Sequence, residues 1–261
     1  MTANQLFNSG YSEVNGLNMY YEVYGQGKPL VLLHGGGSTI QTTFGNIIPL
    51  LLKNRQIIAL ELQAHGRTGD RDAFLSFEQD ADDVVQLLKN LQVAKADILG
   101  FSNGGQTTIE IALRHPYIVN KIILASAFYN RGAAVPQFWE GFNNATLSMM
   151  PTALQEGFLA VNNNQAALQN MFNKDVQRMK TFKGWTDEQI SSIRVPTLII
   201  NGNLDVGSPE HAVQMHRLIS NSTLVILPGV HGEYLGAIEA LHNGKWAQTY
   251  IVDIIEAFLD I

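Results

Sequence analysis

The stretch Ile98-Leu99-Gly100-Phe101-Ser102-Asn103-Gly104-Gly105 constrains this chain most, because an apolar run ends in a serine with a glycine two positions to either side. A strand that stops abruptly, a serine in a strained backbone conformation at the tip and a helix that starts at once would satisfy this pattern, with the first N–H groups of the helix facing the serine. Gly100 and Gly104 let strand and helix approach more closely than a Cβ would permit. The pattern predicts a helix over Asn103 to His115 that buries Ile109, Ala112 and Leu113 and stops at Pro116. Taken alone, G-x-S-x-G also describes an ordinary glycine-flanked turn.

The other 250 or so residues leave room for a large core around this elbow, and a chain of 261 residues suits one α/β domain carrying an insertion. Apolar residues make up 46% and charged residues 15%, a globular balance. A net charge of −6 without Lys/Arg runs argues against nucleic acid or an anionic membrane as partner and favours a small-molecule substrate. There is no cysteine, so disulfides, thiolate metal sites and a cysteine nucleophile are excluded. Residues 1–10 lack the apolar core of a secretory signal and no apolar run approaches a membrane span, so the expectation is a cytoplasmic protein.

In chain order, two Tyr- and Val-rich segments between Tyr11 and Tyr24 flank Asn15-Gly16, a hairpin-turn dipeptide. Leu30 to Leu33 is a continuous apolar run, as expected of a strand covered on both faces, and it leads into His34-Gly35-Gly36-Gly37. A helix is expected over Thr42 to Lys53 and a strand over Ile57 to Leu60. Ser76 and Gln79 form a capping-box pattern before a helix whose Phe77, Ala81, Val84, Val85, Leu88 and Leu91 share one stripe. After the elbow helix, Lys121 to Ala125 reads as another buried strand. Alternation of strand and helix predicts a mostly parallel central sheet with helices on both faces. It lapses from about Ala127 to Arg194, a helical stretch rich in aromatics, methionines and asparagines. It resumes with a strand over Pro196 to Asn201, a helix over Pro209 to Ile219, a strand over Leu224 to Leu227 and a helix near Trp246 to Leu259.

Open parallel sheets bind ligands beyond the carboxyl ends of their strands. Those ends carry the His34-Gly35-Gly36-Gly37 loop, Ser102, Asp205 in Asn201-Gly202-Asn203-Leu204-Asp205, and His231 in Pro228-Gly229-Val230-His231. A hydroxyl, a carboxylate, an imidazole and a run of exposed backbone N–H groups are thus predicted on one edge. With the Ala64-His65-Gly66-Arg67-Thr68 segment and the order Ser, Asp, His, these pieces make the chain resemble the α/β-hydrolase fold family, in its cap-bearing type of small esterases, lactonases and carbon–carbon bond hydrolases. The resemblance covers about Pro29 to Ser126 and Val195 to Leu259. It implies a core domain of residues 1–126 and 195–261 and a helical cap insertion of residues 127–194. The turn before His231 is one residue shorter than the common PGxGH form.

Ser102 is a weak nucleophile until a base takes its proton, and His231 is the candidate base because imidazole titrates near neutrality. Asp205, 26 residues earlier, would orient and stabilise that imidazole. The resemblance implies an oxyanion hole made by the N–H groups of Asn103 and Gly36. Set against these roles, Asp205 would serve as a turn or capping residue ahead of Ser208-Pro209, and His231 as a turn histidine. His34 and His65 read as structural loop residues. His211 and His216 read as solvated helix positions, spaced wrongly for a helical zinc pair. No metal and no cofactor is required.

A serine at the elbow, where haloalkane dehalogenases and epoxide hydrolases carry a carboxylate, favours hydrolysis through an acyl-enzyme. The insertion is expected to wall a mainly apolar pocket, with Phe128 and Trp139 as candidate lining residues. Its substrate is then a small neutral ester or lactone, handled by a monomer or a homodimer. Two other classes stay open: cofactor-free carbon–carbon cleavage, lyase or perhydrolase chemistry on the same fold, and a binding protein that keeps the pocket without turnover.

Overall fold

A computed structural model describes residues 6–53, 55–241, 246 and 249–260. The first part of the chain forms β1 (Leu6–Val14), β2 (Leu17–Tyr24), β3 (Lys28–Leu33), α1 (Ile40–Phe44), α2 (Ile48–Leu51), β4 (Arg55–Leu60), α3 (Phe77–Asn90), β5 (Ala96–Phe101), α4 (Asn103–Arg114) and β6 (Val119–Ala125). It continues through α5 (Pro136–Gly141), α6 (Thr152–Val161), α7 (Gln165–Thr181), α8 (Asp187–Ser191), β7 (Thr197–Gly202), α9 (Pro209–Leu218), β8 (Ser222–Leu227) and α10 (Tyr250–Asp260).

Among the described residues the strands form one eight-stranded sheet in the order β1-β2-β4-β3-β5-β6-β7-β8. The hairpin turns on Asn15-Gly16 as expected, both residues in the left-handed region, and pairs antiparallel; from β4 onward the pairs are parallel. Strand periodicity divides the core between two faces. Val31, Leu33, Ile98, Ile122, Leu124 and Ile199 point toward α3, α4 and α9. Leu30, Leu32, Leu99, Phe101, Ile123 and Ile200 point toward α1, α2 and α10.

Three expectations need correction. The helix over Thr42 to Lys53 is two short helices, α1 and α2, because Pro49 sits in the first turn of a new helix and cannot continue the old one. Ser76 caps α3, but Gln79 turns its amide to Asp83 in place of returning it to the cap. The last helix begins at Tyr250; residues 247–248 of the expected stretch lie outside the described residues.

Between β6 and β7 the chain is helical, apart from one isolated bridge between Asn130 and Gly184. This stretch has a small core of its own from Met150, Leu154, Phe158, Leu168 and Met171. Its aromatics Phe128, Trp139, Phe182 and Trp185 instead join the main core on the α3 face, with Phe182 edge-on to Phe77. The stretch between β6 and β7 thus packs on the α3 face of the main core through these aromatics and keeps a smaller core of its own.

Candidate active site

The elbow is built as its glycines require. Ser102 has φ 52° and ψ −122°, a conformation an L-residue holds only when its surroundings impose it. Its N–H donates to Ala125 O at 2.9 Å, and α4 starts at the next residue. A Cβ on Gly104 would fall on the carbonyl oxygen of Leu33, so only glycine lets α4 cross β3 at this depth. Because Asn103 is the first residue of α4, its N–H has no intrahelical acceptor. Among the described residues, neither that N–H nor that of Gly36 donates to a protein acceptor. A Cβ on Gly36 would likewise run into the Asn103 side chain, which keeps the two loops in contact.

His231 and Asp205 meet despite the shortened turn, Nδ1 donating to Oδ1 at 2.6 Å. Asp205 is fully buried as a side chain, whereas His231 keeps 25% of its surface exposed. The second carboxylate oxygen of Asp205 accepts from Ser126 Oγ at 2.5 Å and from Gly202 N–H at 3.3 Å. Burial alone would raise the Asp205 pKa, but the hydrogen bond and charge of His231 and the added donors hold it below the ordinary carboxylate value. Burial would lower the His231 pKa; the hydrogen bond and charge of Asp205, with the charge of Glu239, raise it above the ordinary histidine value instead.

Ser126 and Tyr234 are site residues that sequence reasoning missed. Ser126 sits just past β6 with φ 52°, and its hydroxyl is 2.7 Å from the buried Tyr234 hydroxyl. The pair closes the side of Asp205 away from His231. The signal was present in outline: position 126 follows a buried strand on the same sheet edge as Ser102.

A cavity of about 550 Å³ opens above the elbow, bordered by Gly36, Ser102, Asn103 and His231 on the sheet side. The insertion supplies Phe138, Phe142, Met149, Met150, Leu154, Met171, Phe172 and Met179, with Phe128 beside them. Phe128 thus lies where expected. Trp139 does not: its indole N–H donates to Arg131 O, its ring stacks on Phe182, and it packs behind Phe128, out of the cavity lining. Among the described residues, no lysine or arginine lines the cavity.

The other histidines behave differently from one another. His34 is buried between the Gly35 carbonyl and the Leu62 N–H, and burial with the neighbouring His65 pushes its pKa down to about 3, so it is a neutral structural residue. His211 is not solvated: it stacks on Tyr129 and accepts that residue's N–H at 3.1 Å. Asp175 of α7, unsuspected from the sequence, reaches the cavity floor beside His65. Leu168, Met171, Asp175, Arg178 and Met179 are all buried on α7, and a carboxylate and a guanidinium on an otherwise apolar helical stripe was the available signal. Among the described residues, no group of three or more His, Cys, Asp or Glu side chains is arranged to hold a metal ion, and no helix is long and apolar enough to cross a membrane.

A doubly covered, mostly parallel sheet with a serine elbow, an Asp–His pair and two open N–H groups at its strand ends defines an α/β-hydrolase. The chain belongs to the alpha/beta hydrolase fold family, whose model matches residues 28–178. Pyrrolizixenacetamide deacetylase of Xenorhabdus hominickii is 31% identical over 116 residues, 44% of each chain. The human serine hydrolase BPHL is 28% identical over 248 residues, 85% of this chain and 79% of its own. The meta-cleavage product hydrolase CumD of Pseudomonas fluorescens IP01 superposes with a TM-score of 0.78 at 19% identity, covering 98% of both chains. The relatives are hydrolases of differing bond preference on a shared fold.

Proposed function

We propose that this chain is a serine hydrolase that cleaves a small, mainly apolar carboxylic ester or lactone through an acyl-enzyme. The observation that carries the proposal is the 2.6 Å Asp205–His231 pair at the rim of the cavity that Ser102 and the free N–H groups of Gly36 and Asn103 also border. Residues 127–194 act as the cap over a core of residues 1–126 and 195–261.

Ser102 Oγ attacks the substrate carbonyl carbon while its proton passes to Nε2 of His231; the two side chains border the same cavity without a hydrogen bond between them, and that bond forms once substrate is bound. The oxyanion is held by the Gly36 and Asn103 N–H groups; such a donor is worth on the order of 3 kcal/mol in the barrier. His231 then returns the proton to the departing alkoxide, and a water deprotonated by the same imidazole releases the acid. Ser126 and Tyr234 keep the Asp205 carboxylate aimed at Nδ1. The lack of a cation among the described lining residues favours a neutral ester or lactone over the anionic substrates expected of many carbon–carbon hydrolases.

A panel of short and medium-chain esters, lactones, thioesters and a vinylogous carbon–carbon substrate, run on wild type and Ser102→Ala, tests the proposal. Esters or lactones should be the best substrates, and a fluorophosphonate probe should label Ser102 alone. A folded wild-type protein that neither turns over the panel nor takes the label would falsify it.

The pH profile supplies a second check. His231 works as a base only when neutral, and its pKa is held above 6.5 by Asp205. kcat/KM should therefore fall as the pH drops, with a midpoint above 6.5. A profile flat down to about pH 5 would remove His231 from the mechanism.

A further inference from the structure

The cavity floor contains one carboxylate that the chemistry above does not use. Asp175 projects from α7 of the insertion and accepts the Gly37 N–H through Oδ2 at 2.6 Å. The same oxygen is 2.9 Å from His65 Nε2, and Oδ1 accepts from Arg178 Nη2 at 2.6 Å. Arg178 also reaches Asp80 of α3 at 2.8 Å through Nη1, and its guanidinium lies over the Phe77 ring. His65 Nδ1 donates to the Gln63 carbonyl at 2.8 Å, so Nε2 must also carry a proton to bond the carboxylate. Two carboxylates, one guanidinium and one imidazolium thus alternate in sign across the seam between insertion and core. His65, Arg178 and Asp80 are each almost fully buried.

Gly37 adjoins Gly36, whose N–H is a proposed oxyanion donor. A Cβ on Gly36 would come within 3.2 Å of Asp175 Oδ2, so the carboxylate lies against this peptide on the insertion side. The Gly35-Gly36-Gly37 run has no side chains to fix it. Its orientation depends on what its backbone groups bond to, and the Gly37 N–H bonds to Asp175 of the insertion at 2.6 Å, with His65 Nε2 a longer second contact at 3.2 Å that cannot accept while it carries a proton. We propose that Asp175 is a positioning residue for the oxyanion hole: anchored by Arg178 and His65, it holds the Gly36–Gly37 peptide so that the Gly36 N–H faces the carbonyl oxygen of the substrate.

The inference rests on the serine-hydrolase reading and makes the insertion part of the catalytic machinery as well as a wall of the pocket. A carboxylate this close to a developing oxyanion is tolerable because Arg178 and His65 neutralise it. Removing Asp175 leaves the Arg178–Asp80 pair intact and lets His65 revert to neutral imidazole, so charge stays balanced in an alanine variant; the freed Nε2, 3.2 Å from Gly37 N, is then the longer remaining acceptor, which makes the loss partial.

The test compares Asp175→Ala and Asp175→Asn with wild type for kcat, KM and rate of fluorophosphonate labelling, with thermal melts as the check on folding. Asp175→Ala should lower kcat and the labelling rate about 10- to 100-fold while KM on a short ester moves less than about threefold. Asp175→Asn, whose amide oxygen still accepts the Gly37 N–H, should recover most of that loss. Should the alanine variant fail to fold, Asp175→Leu fills the same volume without an acceptor and should show the same loss. The inference is overturned if kcat survives removal of the acceptor, if KM carries the effect, or if Asn and Ala are equally impaired. It also falls if wild type neither hydrolyses esters nor labels, and that result is distinguishable because it sinks the hydrolase reading before any Asp175 variant is made.

Discussion

Replacing His231 by alanine should lower kcat/KM on the best ester by about 10⁵- to 10⁶-fold, and adding Ser102→Ala to it should cost little more. The two side chains act as one unit. Without the imidazole, Ser102 keeps its proton and is a poor nucleophile; without the hydroxyl, His231 has no proton to take. Independent contributions would multiply, whereas a unit fails once. What remains in the double variant is the rate supplied by the cavity and the Gly36 and Asn103 N–H groups, about 10³- to 10⁴-fold above water. Asp205→Asn should be milder, since Ser126, Tyr234 and the Gly202 N–H still hold the side chain in place while the amide presents a donor or a weaker acceptor to Nδ1. Steady-state kinetics on the three single variants and the double variant decide the matter. A double variant slower than either single one by a further factor of about 10³ would mean that Ser102 and His231 do not share a step.

The elbow, the strand ends and their order along the chain were legible because each rests on local chemistry. Gly104 is forced by a backbone crossing, the apolar runs at Leu30–Leu33 and Leu198–Ile200 announce buried parallel strands, and residues that follow such strands share one edge of the sheet. The pairing of Asp205 with His231 was expected from that edge together with the Ser, Asp, His order of the family the chain resembles. The pocket was less legible. Phe128 follows β6 directly and its place was predictable, but Trp139 lies in a stretch whose aromatics are shared between the cavity and the core above α3, and composition does not divide them. His211 reads as a surface residue in the sequence because its stacking partner Tyr129 lies 82 positions away. The polar seam was hardest of all. Asp175 meets Gly37 across 138 residues, and only the fold brings them together.

That seam also sets the largest stability effect expected here. Arg178→Met should lower the free energy of unfolding at pH 7.5 by about 3 to 5 kcal/mol, because it strips the shared cation from two buried carboxylates at once. Methionine preserves volume and the contact with Phe77, so lost packing contributes little. The loss should shrink on acidification, and Asp80 fixes the direction. Burial raises its pKa to about 6 even with the Arg178 charge opposing the rise. Its folded-state pKa thus exceeds the unfolded value, and the folded protein takes up a proton that the unfolded chain does not as pH falls through 6 toward 4. Without Arg178 that uptake begins at higher pH and removes the uncompensated charge. Asp175 runs the other way, since His65 and Arg178 outweigh burial to keep its pKa low, so its contribution is present above the unfolded carboxylate pKa and fades below it. Urea titrations of wild type and Arg178→Met at pH 7.5 and pH 5 separate the two groups. A deficit that narrows at pH 5 identifies Asp80 as the stranded charge; a deficit that stays the same assigns it to Asp175, whose carboxylate remains ionised at both pH values. In either case the fluorophosphonate labelling rate should fall with the variant, because the carboxylate that Arg178 anchors is the one that holds the Gly36–Gly37 peptide over the elbow.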